Sequence, residues 1–363
     1  MADQTSDRFV VAIVGATGAV GTEVLNVLED RNFPVSELRL FASPASKGKC
    51  LLFRGEPIPI GVATRDSFDD CDIAILSAGS AISKELRPWM HATDCIMIDN
   101  SSAFRMEEGV PLVIPEINPE DLDRHSGVIA VPNCSAIVLL MAVAPLRKLG
   151  KIKRIVVSTY QAVSGAGAKA MQELEDQTRD HLAGKPIIPN VLPHPIAFNL
   201  FSHNTAINES GYNQEEWKMI HESKKILHDD EIVMTATCIR VPVLRAHSES
   251  VNIEFADRRP TLAAIRNVLC EYPGVQVIDD REANHFPMPC ETAGQYDVHV
   301  GRIRDDVSNS RAIELFVSGD QLLKGAALGA VQIAETMISR KLLTPKRGAL
   351  ATDRAPEKVT RSS

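Results

Sequence analysis

Cys134 stands where the strand-like run ending Val131-Pro132-Asn133 gives way to the apolar stretch Ser135–Val143. A thiol in the first turn of a helix feels the positive end of the dipole and can accept amide hydrogen bonds as thiolate. That lowers its pKa and makes a nucleophile. The remaining cysteines lie elsewhere: Cys71, Cys95 and Cys238 in sheet-like runs, Cys270 in a helical pattern, Cys50 and Cys290 in loops. A structural thiol is the better reading for those six, and on this evidence alone it stays open for Cys134 too.

A second group is Arg240, Arg245 and His247 in RVPVLRAHSES. Two guanidinium groups beside an imidazole suit an anionic substrate held next to a proton-transfer group. Arg240 and His247 are an odd number of positions apart and would face opposite ways on an unbroken strand, but Pro242 supplies a break. A charged structural strand edge is the alternative. His91, His125, His181, His221 and His228 read as solvated surface residues.

A third group is GATGAVG, residues 15–21, which follows a strand and opens a helix. There Gly15, Gly18 and Gly21 let the backbone, with Thr17, Ala19 and Val20, approach a pyrophosphate at a helix N-terminus. A plain tight turn is the alternative, since the spacing is GxxGxxG and a lone glycine triplet is a weak signal. The second strand ends in FASPASKGK, with no acid to meet a ribose 2′-hydroxyl and with Ser43, Ser46, Lys47 and Lys49 available, so NADP is favoured over NAD.

These residues need elements to hold them. FVVAIVG, ELRLFAS, DIAILSA, CIMIDNS and GVIAVPN alternate with helical patterns and are apolar on both faces, as in a parallel sheet covered on both sides. After Asn133 the strands lengthen and carry polar residues (RIVVSTYQA, EIVMTATCIRVPV, HSESVNIEFA, YDVHVGRIR, RAIELFVSG), which predicts a mixed or antiparallel sheet. A helix interrupted by Pro145 is expected from Ser135 to about Leu149, and a long helix over 322–340. The Pro- and Asn-rich stretch from Leu182 to Asn213 predicts an ordered excursion that wraps the surface or a partner subunit. The fold class is therefore α/β: a doubly wound dinucleotide-binding domain over 1–133 and an α+β domain over 134–321, followed by a helix at about 322–343. The polar, basic tail 344–363 is expected to be disordered.

The 363-residue chain carries a net charge of −8, which argues against nucleic acid as the main partner. It shows no apolar run of transmembrane length and no secretory signal, and its seven scattered cysteines are never spaced as CxxC. The expectation is a cytoplasmic protein with free thiols, no metal and no membrane.

GATGAVG, NSSAFRM (100–106), VPNCS (131–135), TYQAVSGAG (159–167), EEWK (215–218), RVPVLRAHSES (240–250) and KGAALGAVQIAE (324–335) occur in this order. With them the chain resembles aspartate-semialdehyde dehydrogenases from about Phe9 to Leu343. The resemblance implies NADPH-dependent reductive dephosphorylation of L-aspartyl 4-phosphate to L-aspartate 4-semialdehyde and phosphate, on the route to lysine, threonine, methionine and isoleucine. It also implies that the helix at about 322–343 completes the NADP-binding domain, that 134–321 is the catalytic and dimerisation domain, and that the chain forms a homodimer or a dimer of dimers.

By the same resemblance, Cys134 is the nucleophile, His247 the acid/base and Gln161 the residue that orients a thioester. Arg240 would grip the substrate carboxylate, Glu215 its amino group, and Arg105, Asn133 and Lys218 the phosphate. The glycine loop, Ser43, Ser164, Gly165 and Gln321 fall on cofactor positions. Where many relatives carry arginine after the second strand, this chain reads Pro44-Ala45-Ser46-Lys47, leaving Lys47 as the cation at hand. N-acetyl-gamma-glutamyl-phosphate reductase is the nearest alternative, and Glu215 discriminates because only a free α-amino group rewards a carboxylate there. A catalytically silent dinucleotide-binding protein is the other; Cys134, Gln161, Arg240 and His247 together argue against it.

Overall fold

All six residues of β1 (Phe9–Val14) are buried, as a strand covered on both faces requires. After it come α1 (Ala19–Asp30), β2 (Val35–Phe41), β3 (Cys50–Phe53), β4 (Glu56–Gly61), β5 (Ile73–Leu76), α2 (Ser80–Ala92), β6 (Ile96–Asp99) and β7 (Val128–Ala130). The structure, a computed structural model, describes residues 7–346. The seven strands order as β3-β4-β2-β1-β5-β6-β7, parallel except for the β3/β4 hairpin. That hairpin was not expected from the sequence, because Pro57 and Pro59 break its apolar pattern; its turn is made by Arg54 and Gly55 at φ of 52° and 81°.

The strand order reverses at β1, whose neighbours are β2 and β5, so a crevice opens beyond their carboxyl ends. Gly15 sits there at φ 87°, and a β-carbon on it would come within 2.8 Å of the Ser77 carbonyl oxygen. Gly21 is tighter still: its β-carbon would fall 2.2 Å from the Gly15 oxygen. The glycines thus close a loop against α1 that no side chain could enter.

The chain then builds α3 (Cys134–Val143), β8 (Ile152–Gln161), α4 (Ala168–Leu182), β9 (Phe201–Ser202), α5 (Gln214–Leu227), β10 (Val233–Arg240) and β11 (His247–Phe255). It continues through α6 (Leu262–Cys270), β12 (Val275–Val277), α7 (Pro289–Thr292), β13 (Val298–Asp305) and β14 (Ala312–Gly319). The second sheet runs β12-β13-β14-β11-β8-β10-β9 and is mixed, with β8 parallel to β10 and antiparallel to β11. Every residue of Ser135–Val143 is buried, so α3 is a core helix apolar all round, packed on β11, β13, β14 and α5. From Ala144, with Pro145 in the first turn, it tightens into a 3-10 helix ending at Leu149.

The stretch between α4 and α5 holds only the two residues of β9, yet its backbone is satisfied by side chains. Glu173 accepts the amides of Asn190, Val191 and Leu192, and Gln177 those of Ile196 and Ala197. Leu192, Ile196 and Ala197 then bury a small core with Val163, Ala170 and Leu174.

The last strand leads into a π-turn, Leu323–Ala327, before α8 (Leu328–Ser339) returns to pack on α1 and β6. The expected long helix therefore begins with one widened turn. The start of the tail is anchored rather than loose: the Lys346 amide donates to Asp72 and its ammonium to the carbonyls of Cys71 and Thr93. Residues 347–363 of that tail lie outside the described residues. Among the described residues no helix is long and apolar enough to cross a membrane.

Candidate active site

A cleft of about 780 Å³ lies where the two sheets meet, lined from one side by Gly18, Ala19, Val20 and Arg105 and from the other by Cys134, Gln161, Arg240 and His247. Cys134 is the first residue of α3, and Asn133 is its cap: Oδ1 accepts the amides of Ser135 and Ala136. The Asn133 side-chain amide donates to Glu215 at 2.8 Å, and its backbone N–H donates to Glu222 at 2.6 Å. Two carboxylates of α5 thus fix the residue that precedes the thiol.

Three adjacent strands supply one row of polar side chains. Arg240 pairs with Gln161 across β10 and β8, and His247 occupies the next place in the antiparallel β8/β11 register, where Ser248 meets Tyr160. Residues 241–246 leave the sheet, so the odd spacing of Arg240 and His247 is no obstacle and both line the cleft. Gln161 donates to Ser135 Oγ at 2.5 Å and to Glu215 at 3.3 Å. Arg240 donates to the Ala162 carbonyl at 2.7 Å and lies 2.9 Å from His203 Nε2.

Arg245 is the member of its cluster that faces elsewhere. It donates to Glu23 of α1 at 2.6 Å and to Asp320 at 2.5 Å, tying the two sheets together instead of meeting a substrate.

Buried polar atoms without partners mark where a ligand's polar groups fit: Asn100 Oδ1, Arg105 Nε, Gln161 Oε1 and Arg240 Nε all belong to cleft residues. Arg105 is otherwise held by Glu222 and by the Asn100 carbonyl. Lys218 lies 3.1 Å from Glu215. Gly165 keeps open the space before the imidazole and guanidinium, because a β-carbon there would stand 3.3 Å from both His247 Nε2 and Arg240 Nη1.

The electrostatics correct one expectation. Burial first and Glu215 second push the Cys134 thiol up to about 11, against the pull of Arg105, Arg240 and Lys218. The helix terminus does not outweigh desolvation, and the free protein holds a protonated thiol. Burial and the Arg240 charge depress His247 to about 3, so its imidazole is neutral at physiological pH. Its Nδ1 accepts the Ala162 amide at 3.0 Å, which leaves the proton on Nε2, facing Gly165. Burial works to raise Glu215, but Lys218, His203 and the Asn133 amide outweigh it and hold it ionised, at about 2.

A prediction follows from the thiol. Alkylation of Cys134 by iodoacetamide in the free protein should rise about tenfold per pH unit from pH 7 to 9, because the reactive thiolate fraction grows in that proportion below the pKa. Peptide-mapped rates that level off above pH 7 would show a depressed pKa instead.

The N-terminus of α1 carries no side-chain cap, and its glycine loop borders both the main cleft and a second cavity of about 450 Å³. Phe41, Ser43, Pro44, Ala63, Ala78 and Trp89 line that second cavity together with Gly15 and Thr17, a largely apolar slot continuous with a glycine loop whose helix N-terminus suits an anion. The residues therefore fit a dinucleotide. Ser164 and Gln321 meet in the main cleft, where the Gln321 amide donates to Ser164 and accepts the Ala246 N–H. Ser46 and Lys47 sit at the end of the turn after β2 and are not among the residues lining either cavity.

Sequence reasoning missed two site residues. His203 sits in the irregular excursion and reaches Arg240 only because β9 pairs with β10; no local pattern marks it. Glu222 had a signal, being seven positions after Glu215 and so on the same face of α5.

Family models match both parts of the chain: the NAD binding domain of semialdehyde dehydrogenases over residues 10–125, and the dimerisation domain of the same group over residues 143–324. An aspartate-semialdehyde dehydrogenase of Synechocystis is 52% identical over 330 residues, 91% of this chain and 97% of that one. The Bacillus subtilis protein of that name is 45% identical, over 90% of this chain and 96% of its own. Among solved structures, aspartate semialdehyde dehydrogenase II of Vibrio cholerae, complexed with ASA, superposes with a TM-score of 0.88 at 39% identity, covering 92% of this chain and 99% of that one. With both family models matched and this degree of identity along nearly its whole length, the chain belongs to the aspartate-semialdehyde dehydrogenase family.

Proposed function

We propose that this chain reduces L-aspartyl 4-phosphate to L-aspartate 4-semialdehyde with release of phosphate, using NADPH, in the synthesis of lysine, threonine, methionine and isoleucine. The observation that carries the reading is the thiol of Cys134 at the start of a buried helix, facing the row Arg240, Gln161, His247 in the same cleft as the glycine loop. The Cys134 sulfur attacks the acyl carbon as the bond to the phosphate oxygen breaks, the thiol proton passes to that departing oxygen, and phosphate leaves beside Arg105 and Lys218. A thioester results. The nicotinamide, when bound, supplies hydride to the thioester carbonyl. His247 presents Nε2–H as a donor to the oxygen that gains negative charge, and Gln161 steadies the acyl group; breaking the C–S bond then frees the aldehyde.

Arg240 is the carboxylate clamp in this reading, and Glu215 the partner of the substrate's ammonium group, kept ionised by Lys218 and His203. That ion pair separates the substrate from an N-acetylated analogue, which lacks the charge. The test is phosphate-dependent reduction of NADP by aspartate semialdehyde, run beside N-acetyl-glutamate semialdehyde. Equal rates with both aldehydes would reject the assignment.

The cofactor reading is NADP. No acid closes β2, and Lys47 lies exposed close beyond it. NADPH is expected to give a higher kcat/KM than NADH, and Lys47→Glu to erode the difference by placing like charge beside a 2′-phosphate. Equal efficiencies in the parent protein refute this.

We read the assembly as a homodimer built on the outer face of the second sheet, with a dimer of dimers as its extension. Val233 and Tyr160 stand exposed on that face, and Phe198, Leu200 and Ile207 are exposed on the excursion. The domain division at 133/134, with 322–343 returned to the first domain, and a cytoplasmic setting for seven unpaired cysteines belong to the same reading.

A further inference from the structure

We propose that Lys324, Glu116 and Gln332 form a buried clamp that presses the π-turn Leu323–Ala327 against Cys134 and so positions the thiol. The inference rests on reading Cys134 as the nucleophile. Lys324 is 1% exposed, and its ammonium meets Glu116 Oε1 at 2.6 Å and Gln332 Oε1 at 2.7 Å. Gln332 closes the ring by donating to the same Glu116 oxygen at 2.9 Å. Glu116 comes from the segment between β6 and β7, and its carbonyl is held by the Tyr272 hydroxyl from beyond α6. Glu116 Oε2 is buried without a partner, so the carboxylate depends on Lys324 for its compensation.

The residue after Lys324 touches the thiol residue directly. A β-carbon on Gly325 would lie 2.8 Å from Cys134 Cβ and 3.3 Å from its Cα. The turn is a widened one, with the Gly325 amide on the Asp320 carbonyl at 3.1 Å and the Ala327 amide on Leu322 at 3.0 Å. Such turns are rare and need surroundings that hold them. Here the holding group is an ion pair that links the first sheet's loops to the returning C-terminal segment, while Gln321, Leu322, Gly325 and Ala326 line the cleft. Lys324 itself does not line the cleft; it acts through the backbone of its neighbour.

The test compares E116Q, K324M and K324M/E116Q with the parent protein by thermal melting, steady-state kinetics and peptide-mapped alkylation of Cys134. K324M alone leaves a buried carboxylate unpaired and should melt lower. In K324M/E116Q the charge is gone from both sides, so melting should recover toward the parent while kcat stays at least about tenfold down, with KM for the aldehyde within about twofold. Alkylation of Cys134 should be at least about threefold faster in the double variant, because the turn no longer fixes the thiol. E116Q keeps the shape and hydrogen-bonding atoms and should shift kcat and alkylation in the same directions by smaller factors. Recovery of kcat together with melting, or a parental alkylation rate in the double variant or in E116Q, would overturn the clamp. A failure of the nucleophile reading shows differently, as turnover by Cys134→Ala.

Discussion

Cys134→Ala should turn over at less than about a hundredth of the parent rate while still binding NADPH. Among the described residues Cys134 is the cysteine that lines the cleft, and the thioester it forms keeps the acyl group activated toward hydride after phosphate has left, as a free carboxylate would not. Cofactor binding survives because the glycine loop is held by backbone of the first domain and the cavity beside Trp89 is not lined by Cys134. Removing the sulfur leaves the Asn133 cap intact, since that cap uses the Asn133 side chain and the amides of Ser135 and Ala136. Stability should therefore change little. Cys71 and Cys238 offer no substitute: both are fully buried, Cys71 against the carbonyls of Val10 and Ile73 and Cys238 against Met219. A variant that keeps more than a hundredth of the rate removes Cys134 from the mechanism.

Arg240→Lys should lose roughly tenfold or more in kcat/KM, with kcat lowered as well as KM raised. The guanidinium reaches the Ala162 carbonyl and His203 at once and still has its Nε free in a buried site. A lysine keeps the charge but cannot span those partners or offer two parallel donors to a carboxylate. Misplacing the carboxylate moves the acyl carbon off the sulfur, which is why the rate constant falls too. NADPH affinity should hardly move. Weakened NADPH binding with an unchanged KM for aspartate semialdehyde would contradict the clamp. Arg245 is not then an easy replacement, since Glu23 and Asp320 already occupy it.

Much of the fold was legible because burial writes itself into composition. The runs around Val11, Ile75, Ile98 and Ile129 are apolar on both faces, and each lies in the parallel sheet. The mixed second sheet was legible from polar residues such as Ser250 and Asn252 set between buried Val251 and Ile253. The β3/β4 hairpin was hidden by its prolines, and the π-turn at Leu323 by a spacing that a plain helix would also show.

The site was legible where a motif is local, as at the thiol that opens α3 and at the glycine loop. It was not legible where partners meet through tertiary structure: His203 against Arg240, Glu222 against Arg105, Lys324 against Glu116. The direction of the Cys134 shift failed for a related reason. A helix terminus is visible in sequence, but the burial that overrides it and the approach of Glu215 belong to the folded cleft.

The central claim is that Cys134 carries the acyl group. Incubation with aspartate semialdehyde and NADP without phosphate should drive the sulfur onto the aldehyde carbon and, after hydride transfer, stop at the thioester, because no phosphate is present to release it. Acid quenching followed by mass spectrometry of the digest is the direct measurement. The account predicts an aspartyl adduct on the peptide containing Cys134, lost when phosphate is added before quenching. An adduct on another cysteine, or turnover with no adduct on Cys134, would contradict it.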